Sequence, residues 1–151
     1  MNPFLQEAIQ LAIDNVHKGG TPYGAVLVKD NVIIGRGTNT LHEAYDISGH
    51  AEMIAILEGQ NKLQTNDLEG CVMYASGHPC PMCFGALAFV GISEVFYANS
   101  LEDAKDANMG LSLEVYNYLA GKESSLDMIM TEVDIEDDKN NPMLIYKETL
   151  K

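Results

Sequence analysis

Two short segments carry side chains of the kind that hold a metal and move a proton: His50-Ala51-Glu52 and Pro79-Cys80-Pro81-Met82-Cys83. One imidazole and two thiolates form a donor set that zinc prefers, and three protein ligands leave the fourth tetrahedral position open. Zinc in such a site lowers the pKa of water from near 16 to about 7, so the chemistry on offer is hydrolysis at neutral pH. Cys80 and Cys83 differ by three residues, which makes them neighbours on one helical turn, both able to reach a single ion. At a helix N-terminus the macrodipole also favours their thiolate forms, and Pro79 and Pro81 stiffen that entry. His50 and Glu52 point about 200° apart on a regular helix and cannot share a mid-helix face. With His50 at the half-helical cap position, however, Glu52 extends past the helix end and both meet an ion near the axis. Glu52 then stands beside the metal as a carrier of protons.

The same residues admit other readings. A structural zinc site could take Cys71 or His78 as fourth ligand, and Cys80 with Cys83 could form a redox pair, though neither gives Glu52 a task. Cys71 by itself reads as an inert core thiol in a strand, and His17 and His42 as surface residues. The methionines are scattered through the chain and read as core filler.

The flanking periodicities predict the elements that must position these groups. Apolar residues at three- and four-residue steps from Phe4 to Val16 predict an amphipathic helix, closed by Gly19 and Gly20. Tyr23 to Val28 and Val32 to Gly37 flank a short turn at Lys29-Asp30-Asn31 and predict a hairpin. His50 to Leu63 is helical in period, Gly70 to Ala75 is a buried-type strand, and the loop Ser76-Gly77-His78-Pro79 leads into an apolar helix from Pro81 to about Val90. Ser93 to Ala98 is a further strand, and strand, helix and strand in succession call for parallel pairing with right-handed crossovers. Beyond Asn108, Leu111 to Leu119 and Pro142 to Leu150 read as helical and Leu126 to Val133 as a strand. The sum is one α/β domain over residues 1–151, a three-layer α/β/α sandwich with a mixed five-stranded sheet.

Acidic residues number 22 against 9 basic ones, for a net charge of −13, and Lys18, Lys29, Arg36, Lys62 and Lys105 are scattered. Such a surface repels polyanions, which makes nucleic acid an unlikely partner. No apolar run is long enough to cross a bilayer and no leader pattern opens the chain, so the expected location is the cytoplasm, with no membrane partner.

An H-x-E followed by P-C-x-x-C is a signature of zinc deaminases. The sequence resembles the cytidine-deaminase-like superfamily from about Phe4 to Asn108, most of all bacterial guanine deaminases, then bacterial tRNA adenosine deaminases. Pro22-Tyr23-Gly24-Ala25-Val26, Gly35-Arg36-Gly37-Thr38-Asn39, His50-Ala51-Glu52, Pro79-Cys80-Pro81-Met82-Cys83 and Val95-Phe96-Tyr97-Ala98 carry the resemblance. It implies one Zn2+ per chain held by His50, Cys80 and Cys83, with Glu52 as general acid and base in the hydrolysis of an exocyclic amine. It further implies that Asn39 bonds the base edge, that the Ala51 amide donates to a ring carbonyl, and that Tyr23 lines the base pocket. His78 stands at the pocket rim where these relatives commonly carry glutamate. After the Phe-Tyr-Ala strand, Met109-Gly110-Leu111 occupies a stretch where guanine deaminases place carboxylates, with Asp103 and Asp106 as the nearby substitutes. The implied substrate is a free nucleobase or related amino-heterocycle, guanine first and then cytosine or another amino-base. Deamination of tRNA adenosine and a zinc-stabilised, non-catalytic interaction module are the alternatives. A homodimer is also implied, in which a neighbour's segment can complete the pocket.

Overall fold

Asn2 accepts hydrogen bonds at its side chain from the N–H groups of Phe4 and Leu5, and Pro3 opens the first helix, α1 (Pro3–His17). A proline is well placed there, because its missing N–H would have no partner in the first turn. The computed structural model describes residues 1–151. After α1 the chain enters the hairpin β1 (Gly24–Lys29) and β2 (Val32–Thr38). The turn between them is Asp30-Asn31, with φ of 48° and 65°, the left-handed pair that a tight two-residue hairpin requires. Helix α2 (Ala51–Leu63), strand β3 (Val72–Gly77), helix α3 (Pro81–Phe89) and strand β4 (Glu94–Asn99) follow. The chain continues through α4 (Leu101–Asp106) and α5 (Leu111–Leu119) to a last helix, α6 (Pro142–Thr149).

The sheet order is β2-β1-β3-β4, antiparallel except for the parallel pair β3 and β4. Alternation along the strands sends residues to two faces. Ala25, Leu27, Ile34 and Met73 join Ala51, Ala55, Ile56 and Leu87 in one buried cluster, while Val26, Val28 and Tyr74 pack against Ala8 of α1. Helix layers on both faces give the expected α/β/α sandwich. Gly35 and Gly37 allow the close approach of α2 to β2, since a Cβ at either would collide with the carbonyl of Ala55 or Ala51. The N-terminus of α2, where His50 and Glu52 sit, is thereby fixed against the sheet.

The sheet has four strands, not five. Residues 126–133 form no strand, and Met128, Ile129, Met130 and Val133 are exposed. Their composition favours an extended chain, but a strand needs a neighbour to supply its ladder, and β4 has none on its outer side within the chain. Helix α4 was not foreseen; it starts with a capping box between Ser100 and Asp103. No helix is long and apolar enough to cross a membrane.

Candidate metal centre

His50 is the N-cap of α2, and Cys80 is the N-cap of α3, so the metal-type side chains converge from two helix N-termini. The Cys80 Sγ lies 3.5 Å from His50 Nδ1 and Cys83 Sγ lies 3.7 Å from it. All three candidate ligand atoms fall within 4.8 Å of one another. Tetrahedral zinc, with bonds of about 2.3 Å to sulfur and 2.0–2.1 Å to nitrogen, would separate N and S by about 3.6 Å. The donor set and its spacing therefore fit that ion.

The electrostatics are those of a preformed metal pocket. The Cys83 backbone N–H donates to Cys80 Sγ at 3.4 Å, and the Cys83 thiol holds the Cys80 thiolate well below its ordinary range, helped by His50. Cys83 is pushed up in return, by its bond to Cys80 and then by burial, so without metal the pair shares one proton. The bond to Cys80 raises His50. Glu52 is only 4% exposed, and burial raises its carboxyl from 4.5 to about 7. A carboxyl poised near neutrality both takes and returns a proton readily.

These groups open on a cavity of about 320 Å³ lined by Tyr23, Asn39, His50, Ala51, Glu52, His78 and Cys80, so the structure brings every sequence-predicted site residue except Cys83 to its wall. Cys83 is buried behind it. The Asn39 side chain is oriented by its neighbours: Oδ1 accepts from the Leu41 N–H at 3.0 Å, which leaves the amide hydrogens without a protein acceptor. Ala51, at the first position of α2, has an N–H without an intrahelical acceptor.

Met109, Leu111 and Ser112 form part of the wall. Neither suggested substitute carboxylate is there: Asp103 is held by the N–H and hydroxyl of Ser100 beside a second, smaller cavity, and Asp106 is exposed. Sequence reasoning missed two supporting residues. Asn15 is buried on α1 and its Nδ2 donates to the carbonyls of Thr21 and Asn39, both at 2.9 Å, which ties down the loops carrying Tyr23 and Asn39. Its signal was a polar side chain on the stripe of Ala8 and Ala12. Tyr116 donates to the Pro79 carbonyl at 2.6 Å, and nothing in the sequence linked it to the cysteine loop.

Residues 2–99 match the cytidine and deoxycytidylate deaminase zinc-binding region. The chain belongs to this deaminase family. It is similar to the guanine deaminase of Bacillus subtilis (strain 168), 42% identical over 105 residues that span 69% of this chain and 67% of the relative. The tRNA-specific adenosine deaminase of Aquifex aeolicus (strain VF5) is 38% identical over 116 residues, 77% of this chain and 74% of its own. In three dimensions this deaminase matches the X-ray structure of Bacillus subtilis guanine deaminase with a TM-score of 0.86 and 32% identity, over 98% of this chain and 95% of that one. The protein is thus a zinc-dependent hydrolytic deaminase.

Proposed function

We infer that the substrate is a free nucleobase, with guanine first. The observation that carries this reading is a buried carboxylate, Glu52, beside a three-ligand zinc site on a cavity of about 320 Å³, the size range of a small heterocycle site. The likeness to a guanine deaminase over nearly the whole chain supports the choice of base.

His50, Cys80 and Cys83 would hold the ion, whose contribution when bound is Lewis acidity that readies water for attack at neutral pH. Glu52 accepts one proton of the attacking water and gives it to the ring nitrogen, then takes the remaining hydroxyl proton and gives it to the amine, which leaves as ammonia. Asn39, with free amide hydrogens, and the Ala51 N–H donate to acceptors on the base edge. Tyr23 covers a face of the ring, and His78 meets it at the rim. The site works as a homodimer in this reading. Support comes from α6, whose Met143, Ile145, Tyr146 and Leu150 are exposed, and from the exposed apolar stretch before it. Such a tail finds its cover on a second copy. The cytoplasm is the corresponding place of action.

A tRNA substrate is disfavoured by the net charge of −13, because binding a polyanion depends on cations that neutralise its phosphates. The test is ammonia release by the zinc-loaded protein from guanine, cytosine, adenine, their nucleosides and a tRNA. Turnover of guanine above the others supports the reading; turnover confined to tRNA, or none at all, overturns it.

A further inference from the structure

We propose that His78 is a specificity-determining residue whose Nε2 accepts a hydrogen bond from a ring N–H of the base. The proposal rests on the free-base reading above and assigns the chemistry of one contact within it. His78 Nδ1 lies 2.9 Å from the carbonyl oxygen of Pro79. A carbonyl only accepts, so Nδ1 carries the hydrogen, and a neutral imidazole then presents Nε2 as a bare acceptor. Nε2 has no protein partner, yet no buried side-chain nitrogen or oxygen lacks one, so this atom is accessible, on a side chain that borders the base cavity and two adjoining ones. The ring is held edge-on to Tyr97, with centroids 4.8 Å apart, and to Tyr116 at 5.3 Å. Tyr116 donates to the same Pro79 carbonyl, so ring and anchor are fixed together.

On the cavity wall Asn39 offers its amide hydrogens and Ala51 its N–H, both donors, and Glu52 is committed to proton transfer. His78 adds an acceptor that carries no hydrogen of its own, beside the hydroxyls of Thr21, Tyr23 and Ser112. His78 therefore complements a base that shows acceptors along the Asn39 edge and one N–H toward the rim. A single imidazole nitrogen reads one N–H where a carboxylate would read two, so the pocket selects a keto-type base with one donor on that side.

The experiment uses zinc-loaded protein with guanine and its N1-, N7- and N9-methyl derivatives, comparing the wild type with His78→Ala and His78→Gln. Loss of one neutral hydrogen bond should raise KM about tenfold in His78→Ala and leave kcat nearly unchanged. Against one methyl derivative, the one lacking the N–H that is read, wild type and His78→Ala should perform alike, and His78→Gln should recover part of the loss through its carbonyl. Nitrogen NMR of the wild type should show Nδ1 protonated and Nε2 bare, with Nε2 shifting as guanine is added. An Nε2–H tautomer, or a His78→Ala penalty equal across all four bases, overturns the proposal while leaving the deaminase reading intact. A wild type that turns over none of the four overturns the guanine reading and this proposal together.

Discussion

The chain up to Asn99 builds a buried core, and the chain beyond Ala120 buries no residue at all. In the first, Leu27, Met73, Ala55 and Leu87 close around the sheet, and even the charged Glu52 is covered. In the second, Met128, Ile129, Met130, Val133, Ile145 and Tyr146 face outward. A region that buries its own apolar surface specifies its geometry within one chain, which is what a metal site requires. A region that leaves such surface open is shaped for something outside that chain. On the homodimer reading, the tail is the region proposed for assembly, alongside the exposed Phe84 and Phe89 of α3.

The largest expected effect falls on the first region. Glu52→Ala should lower kcat by about 10²- to 10⁴-fold while zinc, measured by elemental analysis, stays bound. Cys80→Ser should lose the metal and with it much of the thermal stability, because binding free energy is folding free energy when the unfolded chain has no site. If Cys80→Ser kept both zinc and melting temperature, the metal would have to sit elsewhere.

The tail should answer differently. Removing residues 131–151 takes away exposed segments and keeps the Met128 carbonyl that Tyr118 donates to at 2.9 Å. Zinc content should be unchanged, while the mass by light scattering should fall from dimer to monomer and activity should drop about tenfold or more on the homodimer reading. An unchanged dimer would break the division between the two regions.

A smaller effect sharpens the account of Glu52. With its carboxyl raised to about 7 in the folded chain, the zinc-free protein holds a proton there that the unfolded chain releases. That contribution to stability is fully present below the ordinary carboxylate pKa and is lost as pH rises through about 7. Melting temperatures of the zinc-free protein across about pH 5 to 8 should fall by on the order of 5 °C, and Glu52→Gln should flatten the curve. The smallest change is expected for Asn15→Ala: a loss of about 1–3 kcal/mol as the Thr21 and Asn39 carbonyls lose their donor, read by chemical denaturation.

The sequence disclosed the metal centre better than its surroundings for a physical reason. His50, Cys80 and Cys83 are chemically rare types at fixed offsets from helix starts, and the cap position of His50 followed from helix geometry alone. The hairpin, α2, α3 and the limits of α5 followed from periodicity, which reports which face is buried. Pairing is another matter. The segment 126–133 has the composition of a strand, but composition does not say whether a partner strand exists, and the fifth strand is absent. Long-range polar ties such as Asn15 to Asn39 and Tyr116 to Pro79 were equally invisible, since nothing local marks two residues that meet only after folding.

The Pro79 carbonyl receives Tyr116 at 2.6 Å and His78 at 2.9 Å, one residue before a zinc ligand. Burial pushes the Tyr116 hydroxyl up to about 12, so it stays protonated and remains a dependable donor. For protein engineering this makes Tyr116 of α5 an anchor of the cysteine loop. With His78 exchanged, Tyr116 still holds the Pro79 carbonyl in place, so the rim can be varied at His78 for new bases while the peptide that aims Cys80 stays anchored.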